Sequence, residues 1–201
     1  MKLSEVQKSA LLEAGNIGAG HAAIALSQLM GKKIMIAIPS IEILETSDVS
    51  GVMGGGDKTF IQVCLKVLGD AEGIMVFTIE DTRAMTLCDV VMGQAPGTTK
   101  ILGEIEQSAM KEVGSIVASS YLNALSEMTG LSLLVSTPEY NAGCIAALDR
   151  LLRRKGGEND VAREVMCIKT EFVEAANKIE GYLVLMPAAA AIKTILDALR
   201  V

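Results

Sequence analysis

The sequence predicts an α+β fold, an α/β sandwich of two pseudo-symmetric halves with long helices packed on a mainly antiparallel sheet. Three observations predict it. The chain repeats itself without a gap, and its strand-like runs follow one another in pairs instead of alternating with helices. Half of its 201 residues are hydrophobic and mean hydropathy is +0.41, enough for a substantial shared core. One domain over 1–201 is expected, built from repeats of about 1–100 and 101–201.

The repeat appears when Ser9–Pro39, "SALLEAGNIGAGHAAIALSQLMGKKIMIAIP", is set over Ser108–Pro138, "SAMKEVGSIVASSYLNALSEMTGLSLLVSTP". Ser9 falls on Ser108, Glu13 on Glu112, Gly15 on Gly114, Gly31 on Gly130 and Pro39 on Pro138. Further on, "GIMVFTIEDTRAMTLCDVV" from Gly73 loosely matches "GYLVLMPAAAAIKTILDAL" from Gly181.

Each half reads in the same order. First comes an amphipathic helix, "LLEAGNIGAGHAAIALSQLM" in the first half, stopped by Gly31 or Gly130 as a C-cap residue. An extended run follows, "KIMIAIPSIEIL" or "LSLLVSTP". Two strands come next, "TFIQVCLKVLG" and "EGIMVFTIE" against "REVMCIKTEFVE" and "EGYLVLMP". A second helix closes each half, "DTRAMTLCDVVMG" or "AAAAIKTILDALR". "GVMGGGDKT" nearly spells a phosphate-binding P-loop, but Asp57 interrupts it and a strand follows where a helix is needed, so a loop is expected. "GCIAALDRLLRRKGGEND" reads as a short amphipathic helix and a charged loop.

The formal net charge of −6 and the 3% aromatic content argue against a nucleic-acid partner, which needs a basic stripe and stacking platforms. Four cysteines without C-x-x-C spacing read as buried reduced thiols, and the one histidine, His21, leaves no cluster for zinc. No bound metal is expected. With no signal core and no run long enough to span a bilayer, a cytoplasmic monomer that pairs with other proteins is expected.

On the first helix Ser9, Glu13, Asn16 and Gly20 recur at i, i+4, i+7 and i+11, one stripe of a helix, while Leu12, Ile17, Ile24 and Leu26 are expected to face mostly elsewhere. Gly15, Gly18 and Gly20 each cost roughly 1 kcal/mol in a helix interior. A close approach is therefore expected there, either of a partner or of the other long helix.

The pattern D/S-x3-E-x2-N-x22-P, met by Ser9, Glu13, Asn16 and Pro39, resembles the signature of the CheC/CheX/FliY family of chemotaxis phosphatases. It recurs as Ser108, Glu112, Ser115 and Pro138, with serine in place of asparagine. The two-motif layout is similar to the CheC type rather than the shorter CheX type, and no appended domain of the FliY kind is expected.

The resemblance implies a protein phosphatase acting on the aspartyl phosphate of a CheY-type response regulator, which itself supplies the Mg²⁺. Asn16 would orient the attacking water, Glu13 would dock the regulator's lysine, and small neighbours would admit its loops. Ser9, Pro39, Ser108 and Pro138 would support the motifs. The Glu112–Ser115 site would be weak or inactive, because serine lacks the carboxamide. A second implied partner is the receptor deamidase CheD, over Ala142–Arg153, with Asp149 as a contact. The competing reading is a non-enzymatic binding module for either partner.

Overall fold

The computed structural model describes residues 3–52, 58–144, 164–174, 177–188 and 191–199. In chain order the elements are α1 (Glu5–Met30), β1 (Met35–Glu45), a short 3-10 turn leading into the one-turn α2 (Val49–Val52), β2 (Thr59–Gly69), β3 (Gly73–Glu80), α3 (Asp81–Val91), α4 (Glu104–Thr129), β4 (Leu133–Val135), β5 (Glu139–Cys144), β6 (Glu164–Glu174), β7 (Asn177–Pro187) and α5 (Ala191–Ala198). The fold is α+β, with the longer helices on a seven-stranded sheet in which the pairings are antiparallel.

The strand order β1-β6-β7-β3-β2-β4, with β5 also on β2, reads as a palindrome of the two halves. At its centre Val76 pairs with Val184, and these stand at the same place in the repeat, three residues after Gly73 and Gly181. A pseudo-twofold axis therefore passes between β3 and β7. The first strand of each half is exchanged: β1 pairs with β6, and β4 and β5 pair with β2.

Both exchanged strands carry the same defect. Between Ala37–Glu171 and Ser40–Lys169, Ile38 and Pro39 stand opposite Thr170 alone. In the other half Ser136 bonds Lys66 and Glu139 pairs with Cys64, so Thr137 and Pro138 stand opposite Leu65 alone. Each is a one-residue bulge at a proline, which has no N–H for the ladder. Gly31 and Gly130 close the long helices at φ 61° and 74°, the left-handed cap expected of them.

One sheet face carries Val63, Phe77, Ile168 and Leu183 into the main core beneath the helices, where Phe77 meets Phe172 edge-on with ring centroids 5.7 Å apart. The opposite face buries Cys64, Val76, Cys167 and Val184 with Val49. α4 lies over β2, β3 and β4, while α1 lies against β1 and α4. At the helix crossing, a Cβ on Gly18 would stand 2.7 Å from Tyr121 Cα and 2.9 Å from the Ser120 carbonyl oxygen.

Three features differ from expectation, the first being Cys144, which is exposed at the end of β5 while Cys64, Cys88 and Cys167 are buried as expected. The extended run after α4 continues past Pro138 as β5, which a Glu-Tyr-Asn-Ala-Gly sequence does not advertise; pairing with β2 imposes it. Gly51 and Val52 end a helical turn, and the rest of the glycine loop, 53–57, lies outside the described residues, as does 145–163.

The glycines of α1 separate in a stability measurement. Gly18→Ala forces backbone against backbone and is expected to lower unfolding free energy by about 1–3 kcal/mol. Gly20 has open space around its would-be Cβ, so Gly20→Ala is expected to raise it by up to ~1 kcal/mol. Denaturant melts of the two variants check both signs.

Candidate functional site

α1 begins with a reciprocal cap: Ser4 Oγ accepts from the Gln7 N–H at 3.1 Å, and Gln7 Oε1 accepts from the Ser4 N–H at 3.0 Å. The helix buries Leu11, Ala14, Gly15, Gly18, Ala19, Ala22 and Leu26. Ser9, Glu13, Asn16 and Gly20 are all exposed. Among the described residues neither Glu13 nor Asn16 has a hydrogen-bond or ion-pair partner within the chain. A carboxylate and a carboxamide thus stand one turn apart with their full bonding capacity directed outward.

The glycines do something other than admit a partner. A Cβ on Gly15 would meet Ile38 Cδ1 at 3.1 Å, and Gly18 sits on the backbone of Tyr121. Only Gly20 of the three is exposed. Ile38 is the bulged residue before Pro39, so the motif proline acts at a distance. It turns Ile38 under Gly15, next in sequence to Asn16, and this seats the motif turn on the sheet. Ile24 also departs from expectation: at 60% exposure it lies outside the core.

The α4 copy is built differently. Ser108 and Glu112 are exposed, but Ser115 is only half-exposed, and its Oγ is buried without a hydrogen-bond partner. Gly114 stands over Val63, 2.8 Å from where its Cβ would be, instead of over the bulge of its own half. Ser119, at the position of Gly20, bonds its Oγ to the Ser115 carbonyl at 2.6 Å. The second copy therefore differs in chemistry and in access. Pro138 is half-buried at its bulge and Pro39 is exposed. Tyr121 is buried in the core, its hydroxyl donating to Met166 Sδ at 3.4 Å, and burial pushes its pKa far up. Asp149 lies outside the described residues.

Away from these helices, Lys58, Phe60, Glu80, Arg83, Glu180 and Tyr182 line a cleft of about 210 Å³. Its charges are satisfied internally: Arg83 Nη1 reaches Glu180 at 2.7 Å, Lys169 Nζ reaches it at 2.9 Å, and Lys58 Nζ reaches Glu80 at 2.9 Å. Hydrogen bonds from Arg83 and then Lys169 pull the Glu180 carboxyl down to about 2. Asp89 is buried, which by itself would raise its pKa; hydrogen bonds from Thr99, Gly97 and Thr98 outweigh that and lower it. Among the described residues no group of three or more His, Cys, Asp or Glu could hold a metal ion, and no helix is long and apolar enough to cross a membrane.

The CheC-like family model matches residues 6–43 and 105–141, the two segments that carry the motif helices and bulged strands. The CheY-P phosphatase CheC of Bacillus subtilis is 34% identical over 148 residues, covering 73% of this chain and 71% of that one. The chain belongs to the CheC-like family. The flagellar motor switch phosphatase FliY of the same organism is 25% identical to this CheC-like chain over 171 residues, 85% of this chain and 43% of FliY. In fold, the crystal structure of Thermotoga maritima FliY superposes with a TM-score of 0.80 at 22% identity, over all of this chain and 98% of that one.

Two outcomes test this description. Ser115→Ala removes a buried hydroxyl that bonds to nothing and is expected to stabilise the CheC-like fold by about 1 kcal/mol in denaturant melts. Glu180 has a folded pKa below its unfolded one, so its ion-pair contribution is complete above about pH 5 and fades as pH falls toward 2. Because Arg83 and Lys169 are partly exposed, Glu180→Gln is expected to flatten the acid limb of a stability–pH profile by no more than about 1 kcal/mol.

Proposed function

We propose that the chain is a hydrolase that removes the phosphoryl group from the aspartyl phosphate of a CheY-type response regulator. The observation that carries this reading is the exposed, unpartnered pair Glu13 and Asn16, one turn apart on a helix seated from below. Water attacks phosphorus, the bond to the aspartyl oxygen breaks, and inorganic phosphate and free aspartate result. Such a transfer asks little covalent chemistry of the protein; it asks for an in-line nucleophile and stabilised charge.

Asn16 meets the first demand. Its carboxamide oxygen accepts a hydrogen bond from the water and its NH₂ donates one, which orients the nucleophile and removes part of the entropic barrier. Glu13 pairs with the lysine beside the regulator's phosphoryl group and fixes the register of docking. The Mg²⁺ that neutralises the phosphoryl oxygens belongs to the regulator. Ser115 is too short for Asn16's task and its hydroxyl is enclosed, so the α4 copy is silent in this reading. The name of the Bacillus subtilis relative, CheY-P phosphatase, agrees with it. The chain acts in the cytoplasm, where its substrate resides. A CheD-type deamidase is the second proposed partner, over Ala142–Arg153, of which Ala142–Cys144 end β5 and the rest lies outside the described residues.

The test is loss of label from a phosphorylated CheY-type regulator with Mg²⁺. Asn16→Ala is expected to lower kcat about 10²-fold while keeping regulator binding, and Glu13→Gln to raise KM. Ser115→Asn is expected to change the rate less than about twofold, because the position is partly enclosed. A wild-type protein that binds the regulator without hastening its decay would favour the non-enzymatic binding module instead.

A further inference from the structure

Two branched apolar side chains stand in water at the ends of the motif row. Val6 is 61% exposed and Ile24 is 60% exposed. At about 100° per residue, Val6, Ser9, Glu13, Gly20 and Ile24 all project within about 80° of Asn16. At 1.5 Å rise, Val6 lies about 15 Å before Asn16 and Ile24 about 12 Å after it. A single exposed Val or Ile on a helix is ordinary. Two of them closing one polar row, with the proposed reacting group midway, match the footprint of one standard interface, about 800 Å² or roughly 30 Å across.

The repeat supplies an internal comparison. α4 keeps the first apolar position as Ile105, 69% exposed, but has Asn123 where α1 has Ile24. In α4 this polar Asn123 accompanies the enclosed Ser115, so the row that lacks the exposed asparagine of α1 also lacks its second apolar end.

We propose that Val6 and Ile24 are the apolar anchors that hold the phosphorylated regulator across α1, fix its affinity, and confine it to one copy per chain. This rests on the phosphatase reading for its partner. The occupant is the regulator face around its phosphoryl group, since that group must lie over Asn16 between the two anchors. Burying a half-exposed aliphatic side chain at an interface corresponds to roughly tenfold in affinity.

The experiment combines turnover of the phosphorylated regulator with binding of the beryllofluoride-activated, Mg²⁺-loaded regulator, measured by titration calorimetry. Val6→Asn and Ile24→Asn are each expected to raise KM and Kd about tenfold with kcat within twofold, Ile24→Met to stay near wild type, and stoichiometry to be one. Leu29→Asn is the control, because Leu29 is 56% exposed but projects from the other side of α1. The proposal is overturned if the two Asn variants leave KM and Kd unchanged, if Ile24→Met loses as much as Ile24→Asn, if Leu29→Asn loses as much, or if two regulators bind per chain. A wild type that binds without turnover, with binding weakened by Ile24→Asn, would sink the phosphatase reading and keep the anchors. Turnover indifferent to both anchors would do the reverse.

Discussion

The rest of the site depends on one contact, Ile38 against Gly15. Pro39 cannot donate to the ladder, the strand bulges there, and the bulge turns Ile38 into the core, where it is 6% exposed. A Cβ at Gly15 would stand 3.1 Å from the Ile38 Cδ1, so that side chain would have to give way by a few tenths of an ångström. Gly15 adjoins Asn16, so the contact holds the helical turn that presents the carboxamide. The long interval between asparagine and proline in the motif thereby acquires a mechanical meaning. It is the chain length needed to finish the helix, turn at Gly31 and return along β1 to the underside of the same helix.

Duplication explains both the order of the molecule and its inequality. Exchange of the first strands means that neither half completes its sheet alone: β1 needs β6, and β2 needs β4 and β5. The halves must fold together, and the equivalent bulges at Pro39 and Pro138 survive in both. The helices above them do not stay equivalent. α1 lies mainly against the edge strand β1, whereas α4 reaches from β4 and β5 inward over β2 and β3. A helix that covers more strands buries more of its circumference, and on α4 the Ser115 hydroxyl is buried.

Close packing and exposed polar groups are kept on separate sides of α1. Its inner side consists of Leu, Ala and Gly at close quarters, where a single added methyl at Gly18 meets backbone. Its outer side carries Glu13 and Asn16, which among the described residues form no hydrogen bond or ion pair within the chain. The Arg83–Glu180 ion pair and the buried Asp89 carboxylate, by contrast, belong to other elements: the first ties α3 to β7, and the second holds the loop before α4. Their lowered pKa values belong to folding.

The sequence by itself determined the order of the elements, the glycine caps, the α+β class and the exposed stripe of Ser9, Glu13, Asn16 and Gly20, because each follows from local periodicity and backbone preference. It also carried the duplication, through residues aligned without a gap. Tertiary structure alone decided which glycines serve packing, that Ile24 faces water, that the motif prolines make bulges, and that β5 extends the sheet beyond Pro138. It also decided that Ser115 is enclosed while Asn16, its aligned counterpart, is open. The reason is physical. A helical repeat fixes which residues share a face, but where that face points depends on the strands beneath it, and α4 reaches over β2 and β3 whereas α1 lies mainly against β1.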